Sequence, residues 1–512
     1  MSNMKLNCLN LFIVLFIVLF LFSCSENSKK NIKIVESNYY SHGNHNRTVA
    51  EWEPALGTLI VWPLSIPHKL VIELANDNHL FTMVENEDSR KEAEKWFNEW
   101  HINPEKVTFV YVKQGVDAWW TRDWGPGAVF TKDRDYRLAD GKYPYSTPLT
   151  DRECNDFLRF LSYDKNGKVE LTQIDDDATV PLAKQLGFKL LDLPYINTGG
   201  NVLTDGIGTA FSTCVIVAEN KHYGIERENF LQLNDSLLGF KRYHLISNFE
   251  EYGIQHIDCF FKLIDEETLL VAEPPRDHML FDIYNEIVDK ELSNLKTPYK
   301  RPYKILRIKT ARYQDERLAA YTNSLILNKT VYVPLFNIPQ DSVAIRTWSN
   351  AMPGYDIKGF KYELDEEPIV SDILREFYLE EFNSTYGWNF GDAIHCRTRA
   401  IWNPDMLFIS VNRIDREVNS NQKLKIYATI IDYSKKGLVN DQNKLFWRIL
   451  GDTKWKAVTL TPTENVNHFF AEIPKHNLGA TIEYYISAIS KSGEKATRPI
   501  AAPEAIYKFS VE

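Results

Sequence analysis

The sequence predicts an α/β domain that is followed by an all-β domain. Between Glu51 and Trp402, short β-rich runs such as "TLIVWPL", "VTFVYV", "STCVIVA" and "TLLVAE" alternate with charged, helix-like stretches such as "DSRKEAEKWFNEW", "HMLFDIYNEIVDKELSNL" and "IVSDILREFYLEEF". Such alternation is typical of an α/β fold. After Pro404, β-like runs follow one another with turns and no helix-like stretch between them.

The second domain has the period-two pattern of a half-buried sheet. Apolar residues alternate with polar ones in "KLKIYATIIDY" and again in "IEYYISAIS". Runs of this kind over roughly a hundred residues predict a β-sandwich of immunoglobulin-like size. Nothing in this part of the sequence suggests chemistry.

The N-terminus predicts export. Lys5 precedes an apolar run from Leu11 to Phe22, which is shorter than the ~20 residues that span a bilayer and suits a signal peptide. The run ends in "LFSC", which resembles a lipobox and makes Cys24 the predicted lipid attachment site; the alternative is an ordinary signal peptide cut nearby. We expect an exported protein, lipid-anchored at the outer membrane or cell surface.

We therefore predict four segments. Residues 1–23 form a lipoprotein-type signal peptide, 24–47 a polar flexible tether, 48–403 the α/β catalytic domain and 404–512 the β-sandwich.

Composition excludes several classes of protein. The net charge is −10 and no basic stripe is present, so nucleic acid is not an expected partner. Of the six cysteines, Cys8 and Cys24 belong to the export segment, and the remaining four are too scattered for a disulfide framework. The sequence has no CxxC pair for a structural zinc site.

Five short polar motifs punctuate the α/β part. They are "WWTRDWGP" around Asp123, "NTGGN" ending at Asn201, "HIDC" around Asp258, "AYTNSLILN" around Asn323 and "AIHCRT" around Cys396, with gaps of 78, 57, 65 and 73 residues. Roughly even spacing of this kind suggests several similar units that each contribute to one shared site.

Two cysteines are candidates for chemistry. If "HIDC" is a strand, His256 and Asp258 share one face while Ile257 and Cys259 share the other, so that Cys259 would be buried and inert. The histidine and carboxylate would then be an acid/base pair or a hydrogen-bonded structural pair. Cys396 lies between a histidine and an arginine, which favours the thiolate, although a structural cysteine remains the alternative.

Asp123 and Asn201 each have two interpretations. Asp123 stands among tryptophans, where a carboxylate suits a planar cation, or else it pairs with Arg122 at a turn. Asn201 follows a Gly-Gly pair, where it contacts a ligand or simply forms a turn.

The ordered set of motifs resembles a known enzyme family. "AEWEPALGTLIVWP", "WTRDWGP", "TGGNVLTDG", "HIDC", "YTNSLILN", "AMPGY" and "AIHCRT" look like the bacterial, calcium-independent peptidylarginine deiminases and the related agmatine deiminases, from about residue 48 to about residue 402. The resemblance implies the pentein fold, a five-bladed α/β propeller with pseudo-fivefold symmetry and the site at its axis. The last domain resembles the immunoglobulin-like domain of the peptidylarginine members.

The resemblance also implies roles for the candidate residues. Cys396 would be the nucleophile and Cys259 would take no part in catalysis. His256 would be the general acid and base, and Asp123 and Asp258 would hold the guanidinium.

Three further residues would contact the substrate, namely Trp120, Asn323 and Asn201. No metal or organic cofactor is needed. The expected partners are an arginine-containing peptide or protein, or a small guanidino compound, together with a membrane through the lipid anchor.

One stretch departs from the family pattern. Tyr145 and Thr147 stand where the peptidylarginine members have arginines for the C-terminal carboxylate of a substrate, and Lys142 or Arg152 would have to replace them. The favoured reaction is conversion of peptidyl or protein arginine to citrulline. The alternatives are deimination of agmatine or free arginine, amidino transfer, and a surface lipoprotein that binds arginine-rich peptides without turnover.

Overall fold

We describe the protein from a computed structural model. It describes residues 45–511, except 113–118, 160, 251–252, 382–383, 389–390, 415–417 and 419–423. The predicted signal peptide, Cys24 and most of the tether lie outside these residues. None of the helices in the described part has the length and hydropathy needed for a membrane span.

In the described residues, the α/β part contains five sheets of three or four strands. We number them in the order in which the five polar motifs occur along the chain. Sheet 1 has strands Arg47–Thr48, Gly127–Phe130, Tyr136–Lys142 and Lys189–Ile196; sheet 2 has Leu203–Thr204, Thr209–Thr213 and Arg242–Ile246; sheet 3 has Phe261–Asp265, Thr268–Glu273 and Lys304–Lys309; sheet 4 has Leu325–Leu327, Thr330–Leu335 and Asp356–Lys361; sheet 5 has Arg399–Trp402, Ala55–Val61, His79–Val84 and Val107–Tyr111.

All five sheets repeat one connection. An antiparallel pair of strands is followed by a strand that pairs in parallel after a helical crossover. In sheet 5 the antiparallel pair joins the last strand of the domain to Ala55–Val61, so the two ends of the α/β part meet in one sheet. The similar units that the motif spacing suggested are therefore present.

The helices lie in these crossovers and in the connections around them. They are His68–Asp77, Glu87–Glu99, Thr121–Trp124, Gln173–Asp176, Thr179–Leu186, Val215–His222, Arg227–Leu233, Phe281–Lys290, Gln340–Ala351 and Asp372–Glu376, with shorter 3-10 turns and the π-helical turns Asn234–Leu238 and Phe377–Glu381. Two small hairpins add Leu149–Thr150 with Phe157–Arg159, and Arg312–Gln314 with Arg317–Leu318.

Helix Glu87–Glu99 illustrates why these segments fold as they do. The Asn86 side chain accepts hydrogen bonds from the backbone N–H groups of Asp88 and Ser89 at 2.9 and 3.0 Å, which satisfies donors that the first turn leaves free. Ala93 and Phe97, four residues apart, are its buried face.

One predicted strand is wrong in part. The run "STCVIVA" was expected to be extended, but the strand ends at Thr213 and helix Val215–His222 begins directly after Cys214. The β-branched residues favoured a strand locally. In the fold, Val215 and Ile216 instead form the buried face of a crossover helix.

The C-terminal part consists of two antiparallel sheets. Sheet 6 has strands Leu407–Val411, Leu424–Asp432, His468–Ile473 and Thr461–Pro462; sheet 7 has Lys456–Thr459, Lys444–Ile449, Thr481–Ile489 and Lys495–Arg498, and Tyr507–Ser510 also pairs with Thr481–Ile489. The predicted alternation is present, since Ile426, Ala428 and Ile430 are all buried and share a core with residues of sheet 7.

The two parts are joined through buried polar contacts as well as apolar packing. Arg47 donates from Nη1 to Glu53 at 2.7 Å and from Nε to the hydroxyl of Tyr433 at 2.7 Å. Arg498 pairs with Glu266. These contacts belong to a single compact unit, Tyr40–Glu512.

Candidate active site

In each of the five sheets, one motif lies directly before a strand of the antiparallel pair. Asp123 is in helix Thr121–Trp124, and Asn201 and Asp258 end or occupy short 3-10 turns at Gly199–Asn201 and Ile257–Cys259. Asn323 precedes strand Leu325–Leu327, and Cys396 precedes strand Arg399–Trp402. The same position in five repeated units brings these residues together.

Cys396 is held by Asn323. The amide nitrogen of Asn323 lies 3.1 Å from Cys396 Sγ, and its amide oxygen accepts from the backbone N–H of Cys396 at 3.2 Å. The same oxygen also accepts from the N–H of Ala393 at 3.1 Å. Asn323 therefore fixes both the thiol and the turn that carries it, and Cys396 is almost completely buried.

Three functional groups surround Gly200. A Cβ atom at this position would lie 2.4 Å from Asp123 Oδ1, 3.1 Å from His256 Nδ1 and 3.3 Å from Asp258 Oδ2. Only glycine leaves room for this convergence. Since Asp258 Oδ2 is also 3.7 Å from Cys396 Sγ, thiol, imidazole and both carboxylates lie close together in the buried interior.

Asp123 has one carboxylate oxygen in use and one available. Oδ1 accepts from the N–H of Gly200 at 3.0 Å and lies 3.6 Å from His256 Nδ1. Oδ2 is buried and has no hydrogen-bond partner among the described residues. A buried carboxylate oxygen without a donor is costly, and a cationic ligand would supply that donor.

The structure corrects the interpretation of "HIDC". These residues form a 3-10 turn after an extended His256, and the strand begins only at Phe261. Cys259 is not on a face remote from the site, because its Sγ lies 3.4 Å from the carbonyl oxygen of Gly391, which Cys396 Sγ also contacts at 3.2 Å. Burial raises the pKa of Cys259 far above its usual range, so it stays a neutral thiol.

Asn201 supports the turn that carries His256. Its amide oxygen accepts from the backbone N–H groups of Thr213 and Ile257 at 2.9 and 3.1 Å. This oxygen is therefore used for hydrogen bonds within the protein. Trp120 is half-buried and packs against Trp119, with ring centroids 4.9 Å apart, and against Phe377.

The charges around the site favour a neutral thiol and a protonated imidazole when no cation is bound. Burial, together with Asp258, raises the pKa of Cys396 well above its usual range. Burial alone would lower the pKa of His256, but Asp123, Asp258 and Glu219 outweigh it and raise that pKa. Burial would raise the pKa of Asp258, yet it is lowered, chiefly by His395.

Glu219 is a site residue that the sequence did not reveal. It is fully buried in helix Val215–His222, and burial raises its pKa to about 7, against the opposing effect of His256. Its two carboxylate oxygens have no hydrogen-bond partner among the described residues, and Thr147 lies close enough to oppose the rise of this pKa. Because "STCVIVA" was interpreted as a strand, no helix that brings Glu219 near His256 was expected.

Both predicted substitutes for the carboxylate-binding arginines are paired with acidic side chains. Lys142 Nζ lies 3.0 Å from Asp192 Oδ1, and Arg152 Nη1 lies 2.8 Å from Glu286 Oε2. Tyr145 is 65% exposed. The stretch from Lys142 to Arg152 therefore offers two cations that are already paired, the exposed phenol of Tyr145 and the hydroxyl of Thr147, which lies near Glu219.

The structure also contains a disulfide that was not expected. Cys154 and Cys214, 60 residues apart, are bonded. It ties the turn after strand Leu149–Thr150 to the start of helix Val215–His222. The expectation of no disulfide framework missed this bond because nothing local in the sequence links partners so far apart. Cys259 and Cys396 are free.

Comparisons with known proteins agree with this geometry. A family model described as Porphyromonas-type peptidyl-arginine deiminase matches residues 47–364. A Shewanella baltica protein provisionally named agmatine deiminase is 26% identical over 287 residues, which cover 50% of this chain and 72% of that protein.

Two solved structures share the fold. A Porphyromonas gingivalis protein provisionally named arginine deiminase has a TM-score of 0.52 and 19% identity, over 70% of this chain and 99% of that chain. Agmatine deiminase of Enterococcus faecalis has a TM-score of 0.51 and 17% identity, over 72% and 99%. The family match ends before Cys396, and the fold brings that residue to the site.

Proposed function

Since this chain belongs to the family of Porphyromonas-type peptidyl-arginine deiminases, hydrolases that act on guanidino groups, we propose that it converts peptidyl or protein arginine to citrulline and ammonia. The observation that carries the proposal is the convergence of one thiol, one imidazole and two carboxylates around the buried Gly200. Cys396 is the proposed nucleophile and His256 the proposed general acid and base.

Binding begins with charge. Asp123 and Asp258 hold the planar guanidinium through charged hydrogen bonds and fix its carbon near Cys396 Sγ. The same two carboxylates raise the pKa of the thiol in the empty site. A bound cation offsets their charge, so the thiol loses its proton when substrate is present.

The covalent step then follows from the positions of the groups. The Cys396 thiolate attacks the guanidinium carbon, and His256, whose raised pKa keeps it protonated, donates a proton to the departing nitrogen, which leaves as ammonia. An S-alkylthiouronium on Cys396 remains. His256 next takes a proton from water, the hydroxide adds to the same carbon, and the C–S bond breaks to give the ureido product.

The polar groups near Thr147 favour arginine within a peptide over arginine at its C-terminus. Lys142 and Arg152 are occupied by Asp192 and Glu286, and Glu219 would repel a carboxylate at Thr147. An internal arginine presents only neutral amide groups beyond its side chain, so it carries no such penalty.

Agmatine is the second candidate substrate. The acid at Glu219 suits an ammonium group, and relatives are named agmatine deiminases. A binding protein without turnover is disfavoured because the nucleophile, imidazole and carboxylates are all in place, and an amidinotransferase would have to exclude water from the thiouronium.

A substrate panel tests the proposal. Ammonia and ureido product should be measured with agmatine, free arginine, an internal-arginine peptide and a C-terminal-arginine peptide, with Cys396→Ala as the blank. We expect the highest kcat/KM on the internal-arginine peptide. A preference for agmatine would transfer the function to the second candidate, and no ureido product from any substrate would refute deimination. Thr147→Arg should selectively improve the C-terminal-arginine peptide.

The remaining parts of the proposal concern architecture and location. We propose that the five sheets form a five-bladed propeller around the site and that sheets 6 and 7 form an immunoglobulin-like sandwich. The export signal and "LFSC" support a lipid anchor at Cys24. Mass spectrometry of the mature N-terminus checks the anchor, and an unmodified N-terminus beyond Cys24 would exclude it.

A further inference from the structure

His395, the neighbour of the nucleophile, bridges two buried carboxylates. Its Nδ1 lies 2.6 Å from Asp258 Oδ2 and its Nε2 lies 3.1 Å from Glu51 Oε2. All three side chains are buried. We infer that His395 carries a proton on both ring nitrogens in the binding-competent enzyme and is a positioning residue that holds Asp258 ready for the guanidinium.

The inference follows from counting protons. A neutral imidazole has one N–H and one lone pair, and ionised carboxylates only accept hydrogen bonds. With a neutral ring, one of the two contacts would place a nitrogen lone pair against a carboxylate oxygen at hydrogen-bond distance. Such an opposition of two acceptors is unfavourable in a buried environment, where water cannot intervene. A proton on each nitrogen turns both contacts into charged hydrogen bonds.

Glu51, the second carboxylate that His395 contacts, is held in place by further contacts. Glu51 Oε2 lies 2.7 Å from Lys262 Nζ, and Glu51 Oε1 accepts from the backbone N–H of Ile326 at 2.9 Å. Lys262 is itself fully buried. Glu51 therefore cannot move away from His395 without leaving a buried lysine unpaired, which would cost more than the contact it loses.

The groups that face His395 also determine when the second proton is lost. Burial and the positive charges of Arg122 and Lys262 lower the pKa of His395, against Glu51 and Asp258, which raise it. Cys396 adds no charge while its thiol is neutral. As the pH rises, the ring releases one proton, one contact becomes repulsive and Asp258 loses its fixed orientation.

This loss affects binding rather than the proton transfers of His256. Because the pKa of His395 lies below the ordinary value for histidine, the affinity for a guanidino ligand should decline as the pH rises through the acid range, approaching about tenfold per pH unit beyond the transition of a single linked proton. The part of the inference that concerns the guanidinium depends on the proposed function, whereas the protonation of His395 does not.

The double substitution Glu51→Gln with Lys262→Met provides the test. The amide N–H of the new glutamine can donate to a neutral Nε2, so both contacts survive without the second ring proton, and the net charge is unchanged. The matched control is Glu53→Gln with Arg47→Met, which removes a buried ion pair far along the chain from Asp258. Dissociation constants for agmatine and an internal-arginine peptide should be measured by calorimetry against pH in the Cys396→Ala protein.

We expect the loss of affinity with rising pH in the Cys396→Ala protein and in the control, and its absence in the Glu51→Gln/Lys262→Met protein. Below the pH of this transition, His395→Gln should weaken binding by about 30-fold or more, because an amide can donate to only one of the two carboxylates at a time. A loss of affinity with rising pH that the double substitution leaves unchanged would overturn the positioning role.

A second measurement is independent of both folding of the variants and guanidino binding. ¹⁵N spectra of histidine-labelled wild-type protein, assigned through His395→Gln, should show two protonated ring nitrogens on the acid side of the transition and one on the alkaline side. A ring with a single N–H throughout the pH range in which the enzyme is active would refute the inference. Failure of all guanidino ligands to bind, with two N–H groups present, would refute only the proposed function.

Discussion

Asp123→Asn should separate substrate recognition from folding. The substitution keeps the shape of the side chain and removes one of the two charges that face the guanidinium. Breaking a buried charged hydrogen-bond pair typically costs ~2–5 kcal/mol. At ~1.4 kcal/mol per factor of ten, we expect kcat/KM to decline by roughly 30-fold to several-thousand-fold.

The unliganded protein should respond much less. Asp123 Oδ2 has no hydrogen-bond partner among the described residues, and its charge lies near that of Asp258, so its removal relieves repulsion. The same charge helps to keep His256 protonated, so its removal also weakens an attraction. Because the two effects oppose each other, the Tm of the empty Asp123→Asn protein should change little, and a loss of activity without a loss of Tm cannot come from unfolding.

Asp205→Asn is a suitable control for this experiment. Asp205 is also buried, and its Oδ1 accepts backbone hydrogen bonds from Ile207 and Thr209 while Oδ2 has no partner among the described residues. It lies outside the site, so kcat/KM should stay near wild type. The assay measures ureido product from agmatine, an internal-arginine peptide and a C-terminal-arginine peptide. Asp123→Asn within about threefold of wild type on all three would refute the guanidinium-binding role.

Three further outcomes follow from the same contacts. Cys396→Ala should abolish release of ammonia, whereas Cys259→Ala should retain most of it; the reverse result would exchange the two thiols' roles. Glu219→Gln removes a charge that raises the pKa of His256, so the alkaline limb of the kcat profile should move to lower pH. An unchanged limb would show that Glu219 does not act on the general acid. Cys154→Ser opens the disulfide across 60 residues and should reduce the free energy of unfolding in urea by up to about 4 kcal/mol, a difference that should vanish when both proteins are compared under reducing conditions.

Much of the fold and the site could be predicted because the relevant signals are local. Period-two alternation identified the strands of the C-terminal sheets, and charged amphipathic stretches identified helices such as Glu87–Glu99. The polar motifs could be assigned to one shared site because their spacing along the chain is roughly even. Their residues alone left a structural role open for both Cys396 and Asp123, and the resemblance to the deiminases assigned them to catalysis.

The failures concern interactions between distant segments. Locally, "CVIVA" favours a strand, and only packing against the rest of the unit makes it a helix that points Glu219 at His256. The argument from a strand at "HIDC" was wrong because the turn there is held by Asn201, 56 residues earlier in the chain. The disulfide of Cys154 and the contacts of His395 have the same character, since no short pattern encodes a partner so remote.

The distribution of charge explains how the site would release its product. Asp123 Oδ2 and both carboxylate oxygens of Glu219 are buried without a hydrogen-bond partner among the described residues, and a bound cation would satisfy such groups. A guanidinium satisfies these groups and, by its charge, allows Cys396 to ionise. Hydrolysis converts the ligand into a neutral ureido group, which can still donate hydrogen bonds but no longer offsets two carboxylates. Under the proposed function, the unsatisfied acids that favour a guanidino substrate would disfavour its neutral product, so we expect the ureido product to be a weak competitive inhibitor at best.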